Sequence, residues 1–178
     1  MAPSPAGDAP VLPFFERLEA HHDRTTFDCG EDSLNGFLQR YARQNATRNF
    51  GITHVAVSAP GDTRILGYYT LLARSVERAP WPQGNKLPPD GVGVALLGRL
   101  AVDKRAQKQG IGTAMLLRAL KQTEVAAQTI GFYALVVDAL NERARAWYEG
   151  FGFEAFLDDP NHLFLTVSAI RELRLSEE

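Results

Sequence analysis

The sequence predicts a mixed α/β (α+β) fold with a central sheet of about six to seven strands and about four helices. In the first half, two apolar segments flank a Pro-Gly turn at residues 59–62, which indicates an antiparallel hairpin. In the second half, apolar segments ending at Asp103 and Asp138 are each followed by a helical pattern. Strands joined through helices run parallel, so we expect the second half to contain a splayed parallel pair.

The first part of the chain predicts one strand and one helix. Residues 11–18 are predicted to form the strand, with Phe14 and Phe15 in the core. Residues 32–47 are predicted to form a single helix, because four apolar residues share a helical face: Leu34, Phe37, Leu38 and Tyr41.

The remaining elements follow from apolar runs and turn residues. Strands at 52–58 and 64–76 form the predicted hairpin, and residues 79–91, with four prolines and two glycines, form a loop. Residues 92–103 are expected to form the core strand. The later elements are helices at 112–128 and 141–150 and strands at 132–138, 153–156 and 163–167.

Length and composition are those of a single globular domain. The chain has 178 residues, 45% of them hydrophobic, which is enough for one core. We expect a disordered Pro-rich lead-in at 1–10, one domain at 11–174 and a tail at 175–178. No apolar run is long enough to cross a membrane, so no membrane partner is expected. The single cysteine, Cys29, allows no internal disulfide and suits a reducing cytoplasm.

The charge is unevenly distributed along the chain. Residues 36–110 hold eleven Lys/Arg and only four Asp/Glu, although the whole chain carries a net charge of −2. A basic segment in an acidic chain could form a phosphate-binding face. It could equally be a solvated surface with no anionic partner beyond a nucleotide cofactor.

A glycine-bearing turn joins the core strand to the next helix. It contains Gln107, Lys108, Gln109, Gly110, Ile111, Gly112 and Thr113. Glycines let a backbone approach a ligand closely, and the free amides of a helix start attract anions such as pyrophosphate. The spacing matches neither a P-loop nor a dinucleotide fingerprint. The turn alone could also serve only packing.

Two motifs together resemble a known family. The turn fits the pattern Q/R-x-x-G-x-G/A after the strand sequence LAVD, and residues 141–153 fit N-x-x-A-x-x-[WF]-Y-x-x-x-G-F. This combination resembles the GNAT N-acetyltransferases, which use acetyl-CoA as the acetyl donor. The resemblance implies the GNAT fold, with a parallel strand pair that splays apart to bind acetyl-CoA and no metal requirement.

The resemblance also implies roles for individual residues. Backbone groups of Leu100, Ala101 and Val102 would pair with the pantetheine arm. The residues of the turn, 107–113, would hold the pyrophosphate, and Asn141 would contact the cofactor arm. Tyr148 would be the catalytic general acid that protonates the departing thiolate; without the family motif it would be a half-buried helical tyrosine.

A narrower resemblance covers the chain from about Thr26 to Leu173. The segments that carry it are Phe27-x-Cys29-Gly30, the Arg48-Asn49 region, residues 67–71, 97–103 and 137–139, and the 163–165 ending. They resemble the TacT/AtaT-like toxin acetyltransferases of bacterial toxin–antitoxin modules. That family acetylates the α-amine of charged tRNA, which stops translation. The resemblance further implies a ribbon-helix-helix antitoxin and a homodimer.

Four basic residues are candidates for contact with RNA or the substrate ester: Arg43, Arg48, Lys86 and Arg99. For Arg99 a structural ion pair is an equal alternative. Two other functions stay open at this point. The chain could be an ordinary GNAT enzyme that acetylates a small amine or a protein N-terminus, or a non-catalytic CoA-binding or partner-binding module.

Overall fold

The computed structural model describes residues 12–175 as one seven-stranded sheet with helices on both faces. The strands are β1 (Phe14–Arg17), β2 (Ile52–Val57), β3 (Gly67–Val76), β4 (Val92–Val102), β5 (Ala134–Asp138), β6 (Glu154–Ala155) and β7 (His162–Thr166). The helices are α1 (Asp32–Arg40), α2 (Ala42–Thr47), α3 (Ile111–Ala127), α4 (Glu142–Glu149) and α5 (Val167–Glu172). The predicted lead-in at 1–10, and all but residue 175 of the predicted tail, lie outside the described residues.

The sheet is mixed, with strand order β1-β2-β3-β4-β5-β7-β6. The pairs from β1 to β4 are antiparallel, β4 and β5 are parallel, and the last pairs are again antiparallel. The predicted fold class, hairpin and parallel pair are therefore confirmed. In residues 12–175 no helix is long and apolar enough to span a bilayer.

Apolar side chains divide between the two faces of the sheet. On one, here called the α3 face, helices α3 and α4 cover a cluster that includes Leu97 and Leu116. On the other, the α1 face, α1 and α2 pack over β2 and β3, with Phe37 in that cluster. The loop 77–91 covers the rest of the α1 face by inserting Trp81 against the aromatic rings of Tyr133, Phe156 and Phe164.

Three details of the prediction are wrong. The helix expected at 32–47 is broken at Tyr41, whose φ of −117° and ψ of −27° interrupt regular helix, so Tyr41 is exposed instead of buried. Phe14, expected in the core, is exposed because it lies on the edge strand β1. The described residues contain five α-helices instead of about four, because the first is split and α5 follows β7 directly.

Candidate active site

The parallel strands β4 and β5 pair over only three residues. Ala95, Leu96 and Leu97 lie opposite Leu135, Val136 and Val137. Beyond Leu97, β4 continues to Val102 paired with β3 alone. The two strands therefore part at their carboxyl ends and leave a gap, which is where open α/β sheets bind ligands.

A β-bulge at Gly98 sets which backbone groups face this gap. Thr70 lies opposite Arg99, but the next residue of β3, Leu71, lies opposite Leu97, so Gly98 is the extra residue. Because hydrogen-bonding directions alternate along a strand, the backbone of Leu100 and Val102 points into the gap, whereas that of Ala101 pairs with Tyr68 of β3. A glycine inside an apolar strand is a known sign of a bulge, and Gly98 is the sequence signal for this one.

The glycine-bearing turn opens directly into α3. Gly110 adopts a left-handed conformation with φ of 80° and precedes Ile111, the first helical residue. Within residues 12–175 no side-chain hydrogen bond caps this helix start. The first hydrogen bond into the helix is from the Ala114 N–H to the Gly110 carbonyl, so the preceding amides have no intrahelical partner. Such amides form an anion site next to the gap.

Gln107 differs from the other predicted phosphate ligands. Its side-chain amide donates hydrogen bonds to the carbonyls of Val102 (3.0 Å) and Cys29 (3.4 Å). Lys104 N–H also donates to the Asp28 carbonyl at 2.8 Å. These bonds tie the turn to the segment before α1, so Gln107 positions the turn in this structure.

Tyr148 lies on α4, on the same face of the sheet as α3. Its side chain is buried in the cluster that contains Leu97, with Leu100 and Val102 at the cluster edge. The rings of Trp147 and Phe153 pack against it edge-on, with centroids at 5.0 and 5.5 Å. Burial raises its pKa to about 12, and its hydroxyl donates no hydrogen bond to any residue from 12 to 175. The phenol is thus neutral at physiological pH and holds a proton that is not otherwise engaged.

Helix α4 starts at the end of the gap, next to α3. The side-chain oxygen of Asn141 caps it by accepting a hydrogen bond from the Ala144 N–H at 2.9 Å. The indole of Trp147 lies close to Gly112, since a methyl group built on Gly112 would be 3.9 Å from it. Asn141, which is exposed, therefore fixes the start of the helix that carries Tyr148.

Arg99 points to the α1 face, where its guanidinium lies 3.7 Å from the centre of the Phe37 ring. This is a cation–π contact instead of the ion pair that was the alternative. Arg43 and Arg48 are exposed on and just after α2, and Lys86 is exposed in the loop 77–91. Arg43 and Arg48 belong to α2 and its end, which pack on the α1 face, and Lys86 belongs to the loop whose Trp81 covers the rest of that face.

Two further groups fit structural roles. Burial raises the pKa of the Cys29 thiol, which opposes a nucleophilic role. Glu16, His21 and His22 bring potential metal ligands within 4.8 Å of one another. However, His22 accepts a bond from Glu19 N–H and contacts Glu16 through its other nitrogen, so both ring nitrogens are occupied. The expectation that no metal is needed stays a prediction.

Comparison with known proteins identifies the family. The profile described as "Acetyltransferase (GNAT) domain" matches residues 49–155, which include β4, the turn, α3, β5 and α4. The chain belongs to the GNAT acetyltransferases. It is therefore an acetyl-CoA-dependent acetyltransferase.

The similar proteins within this family are toxins. The chain is 37% identical to a tRNA-acetylating toxin of Mycobacterium tuberculosis over 88% of this chain and 93% of the relative. A solved tyrosine-to-phenylalanine variant of KacT superposes with a TM-score of 0.85 and 34% identity, over 90% of this chain and 98% of that one. AtaT complexed with acetyl-methionyl-tRNAfMet gives a TM-score of 0.84 and 31% identity, over 92% and 99%.

Proposed function

We propose that this enzyme is a toxin that acetylates the α-amine of the amino acid on charged tRNA and so blocks translation. The names of its relatives support this proposal, because one is a tRNA-acetylating toxin and AtaT has been solved with an acetylated aminoacyl-tRNA. The chain covers nearly the whole length of both proteins. The same domain is thus available for the same reaction.

The observation that carries the proposal is the charge of the α1 face. No Asp or Glu occurs between Asp32 and Asp62, a stretch that includes most of α1, all of α2 and β2. In residues 12–175, none of its three arginines (Arg40, Arg43 and Arg48) forms an ion pair with a carboxylate. Arg99 follows the Gly98 bulge, so it adds a positive charge to this face at the edge of the gap. A polyanion such as tRNA fits this surface better than a small amine does.

The acetyl donor would bind on the opposite face of the sheet, the α3 face. Acetyl-CoA supplies the acetyl group as a thioester. The backbone of Leu100 and Val102 would pair with its amide arm, and the amides of Gly110–Thr113 would bind its pyrophosphate. Gly112 leaves the approach open, because even a methyl group there would meet only Val102 and Trp147, at 3.7 and 3.9 Å.

Direct attack by the amine requires no strong general base. A free α-amine has a pKa of about 7.7–8.0, so a useful fraction is neutral near pH 7.5. The amine nitrogen bonds to the thioester carbonyl carbon, and the carbon–sulfur bond breaks with its electron pair on sulfur. Tyr148 donates its hydroxyl proton to that sulfur, and the proton lost by the nitrogen restores the hydroxyl.

We also propose that a ribbon-helix-helix antitoxin neutralises this enzyme and that the enzyme is a homodimer. Support for the antitoxin comes from AtaT, which has been solved bound to the C-terminus of the antitoxin AtaR. Co-expression with the gene immediately upstream tests the first point, since a growth defect that the neighbouring gene relieves is expected. Sedimentation of the purified protein tests the second.

A substrate competition assay tests the proposed function. The enzyme is incubated with labelled acetyl-CoA, a mixed pool of charged tRNA, polyamines, an aminoglycoside and peptides with free N-termini. We expect the label in the charged tRNA fraction, and none in a matched pool of uncharged tRNA. Label in the amines or peptides alone would show an ordinary GNAT enzyme, and no transfer would favour a non-catalytic module.

A further inference from the structure

Helix α2 is flanked by two aromatic rings whose exposure to solvent the fold itself does not explain. Tyr41 precedes the helix and is 52% exposed, and Phe50 follows it and is 59% exposed. The position of Phe50 is fixed: its N–H donates to the Asn45 carbonyl at 2.9 Å, and Asn49 before it has a left-handed φ of 57°. The backbone thus holds a large apolar ring out in solvent.

The charges around these rings favour a nucleic acid. The guanidinium of Arg48 lies 5.6 Å from the centre of the Phe50 ring. Arg40 and Arg43 extend the positive charge along the same helix pair, and the acid-free stretch described above surrounds them. Aromatic rings interleaved with arginines bind unpaired nucleotides, because bases stack on the rings while the arginines contact phosphates.

Gly51, the residue after Phe50, lies near the Gly98 bulge. A methyl group built on Gly98 of the bulge would lie 3.2 Å from Leu72 Cδ2, and one built on Gly51 would lie 3.9 Å from the same atom. The side chain of Leu72 therefore lies between Gly98, at the gap, and Gly51, the residue that follows Phe50. On its other side, Phe50 borders a groove of about 700 Å³ between β3 and the end of α3, which leaves space beside the ring.

We propose that Phe50 and Tyr41 stack the unpaired bases at the 3′ end of charged tRNA, with Arg48 held against Phe50 to contact the adjoining phosphate. The inference rests on the proposed function and adds how the substrate is held. The aminoacyl ester lies at the gap, and the single-stranded end crosses Leu72 toward α2. The enzyme thereby binds an RNA end without reading its duplex.

The test compares Phe50→Ala and Tyr41→Ala with Phe14→Ala. Phe14 is a matched control because it is the same residue type as Phe50, 49% exposed, and pairs with the far end of β2. Two quantities are measured: the KM for charged tRNA, and the Kd for a single-stranded oligonucleotide ending in CCA against a blunt acceptor-stem duplex. Loss of one stacked base weakens binding by roughly 5- to 150-fold.

We expect Phe50→Ala to raise the KM for charged tRNA and the Kd for the oligonucleotide on that scale. Duplex binding, acetyl-CoA affinity and the Phe14→Ala values should stay unchanged. Equal losses for duplex and single strand would overturn base stacking, as would unchanged Kd values. A shift of oligomeric state in Phe50→Ala would overturn it too, by showing a protein interface. If wild-type enzyme does not acetylate charged tRNA, the proposed function fails separately, while oligonucleotide binding still reports on the rings.

Discussion

Tyr148 has a protonation state that its surroundings fix. Burial between aromatic rings raises its pKa to about 12, so the phenol loses no proton across the physiological range. We propose that it donates its proton only when the departing thiolate places a full negative charge beside it, which is late in the reaction.

Replacing Tyr148 with phenylalanine separates packing from proton donation. Tyr148→Phe keeps the ring contacts with Trp147 and Phe153 and removes only the hydroxyl. Steady-state kinetics should show kcat lower by about 10²–10⁴-fold, with acetyl-CoA affinity retained. Tyr133→Phe, in the core beside Trp81, is the control and should retain wild-type turnover. A kcat within threefold of wild type for Tyr148→Phe would remove the assigned role.

Single residues also show what a sequence pattern predicts and what it leaves open. Gly110 follows from a local backbone need, its left-handed φ, so the sequence pattern locates it. Asn141, predicted to contact the cofactor arm, caps α4 in this structure. Arg99 stacks on Phe37, 62 positions earlier, and Gln107 bonds back to Cys29. Such contacts depend on how segments that are distant in sequence come together in the fold. The local periodicity of apolar residues does not encode this.

We propose that the turn and the start of α3 act together as one anion-binding element. Gly110 turns the chain with a positive φ, and the amides that follow are uncapped. A side chain at Gly110 would strain the backbone, whereas Gly112 has ordinary room for one. Gly112 is thus the position at which ligand binding can be changed without disturbing the fold.

Titration calorimetry of Gly112→Asp tests this element. The new carboxylate would lie beside the pyrophosphate, so we expect acetyl-CoA affinity to fall at least tenfold by charge repulsion. Gly112→Asn is the matched control with nearly the same shape and no charge, and should lose less. Thermal unfolding should be close to wild type for both. Wild-type affinity in Gly112→Asp would mean that the pyrophosphate binds elsewhere.

The order and type of the central elements are predictable because their apolar periods are long and uninterrupted. The helix break at Tyr41 and the β-bulge at Gly98 are harder to predict. Each distorts a regular element at one residue, and packing against residues distant in sequence stabilises the distortion. The bulge has a large consequence: it reverses the direction of every later backbone group in β4. As a result the backbone of Leu100 and Val102 faces the gap and that of Ala101 faces β3.

At the scale of the whole molecule, the sites that we propose for the two substrates lie on opposite faces of the sheet. The proposed acetyl-donor site lies beside α3 and α4, whereas the basic stretch lies on the α1 face, where Arg99 packs on Phe37. The net charge of −2 hides this division. An acidic protein can bind RNA in this way because only the face that meets the RNA needs to be basic.

Salt dependence tests the basic face. Each neutralised phosphate releases roughly 0.7–0.9 of a counterion, so kcat/KM for charged tRNA should fall steeply with added salt. Reversing Arg43 and Arg48 to glutamate should raise the KM for charged tRNA at low salt and flatten this slope. Arg171→Glu, exposed on α5, is the control for a charge change elsewhere. An unaltered slope in the double variant would place the RNA on another surface.

The position of the transferred acetyl group is the most direct measurement. Charged tRNA is treated with enzyme and acetyl-CoA, the ester is hydrolysed under mild alkali, and the released amino acids and the RNA are analysed separately by mass spectrometry. We predict an acetyl group on the α-nitrogen of the released amino acid and unmodified RNA. Acetyl groups on the RNA, or free amino acids without acetylation, would contradict acyl transfer to charged tRNA.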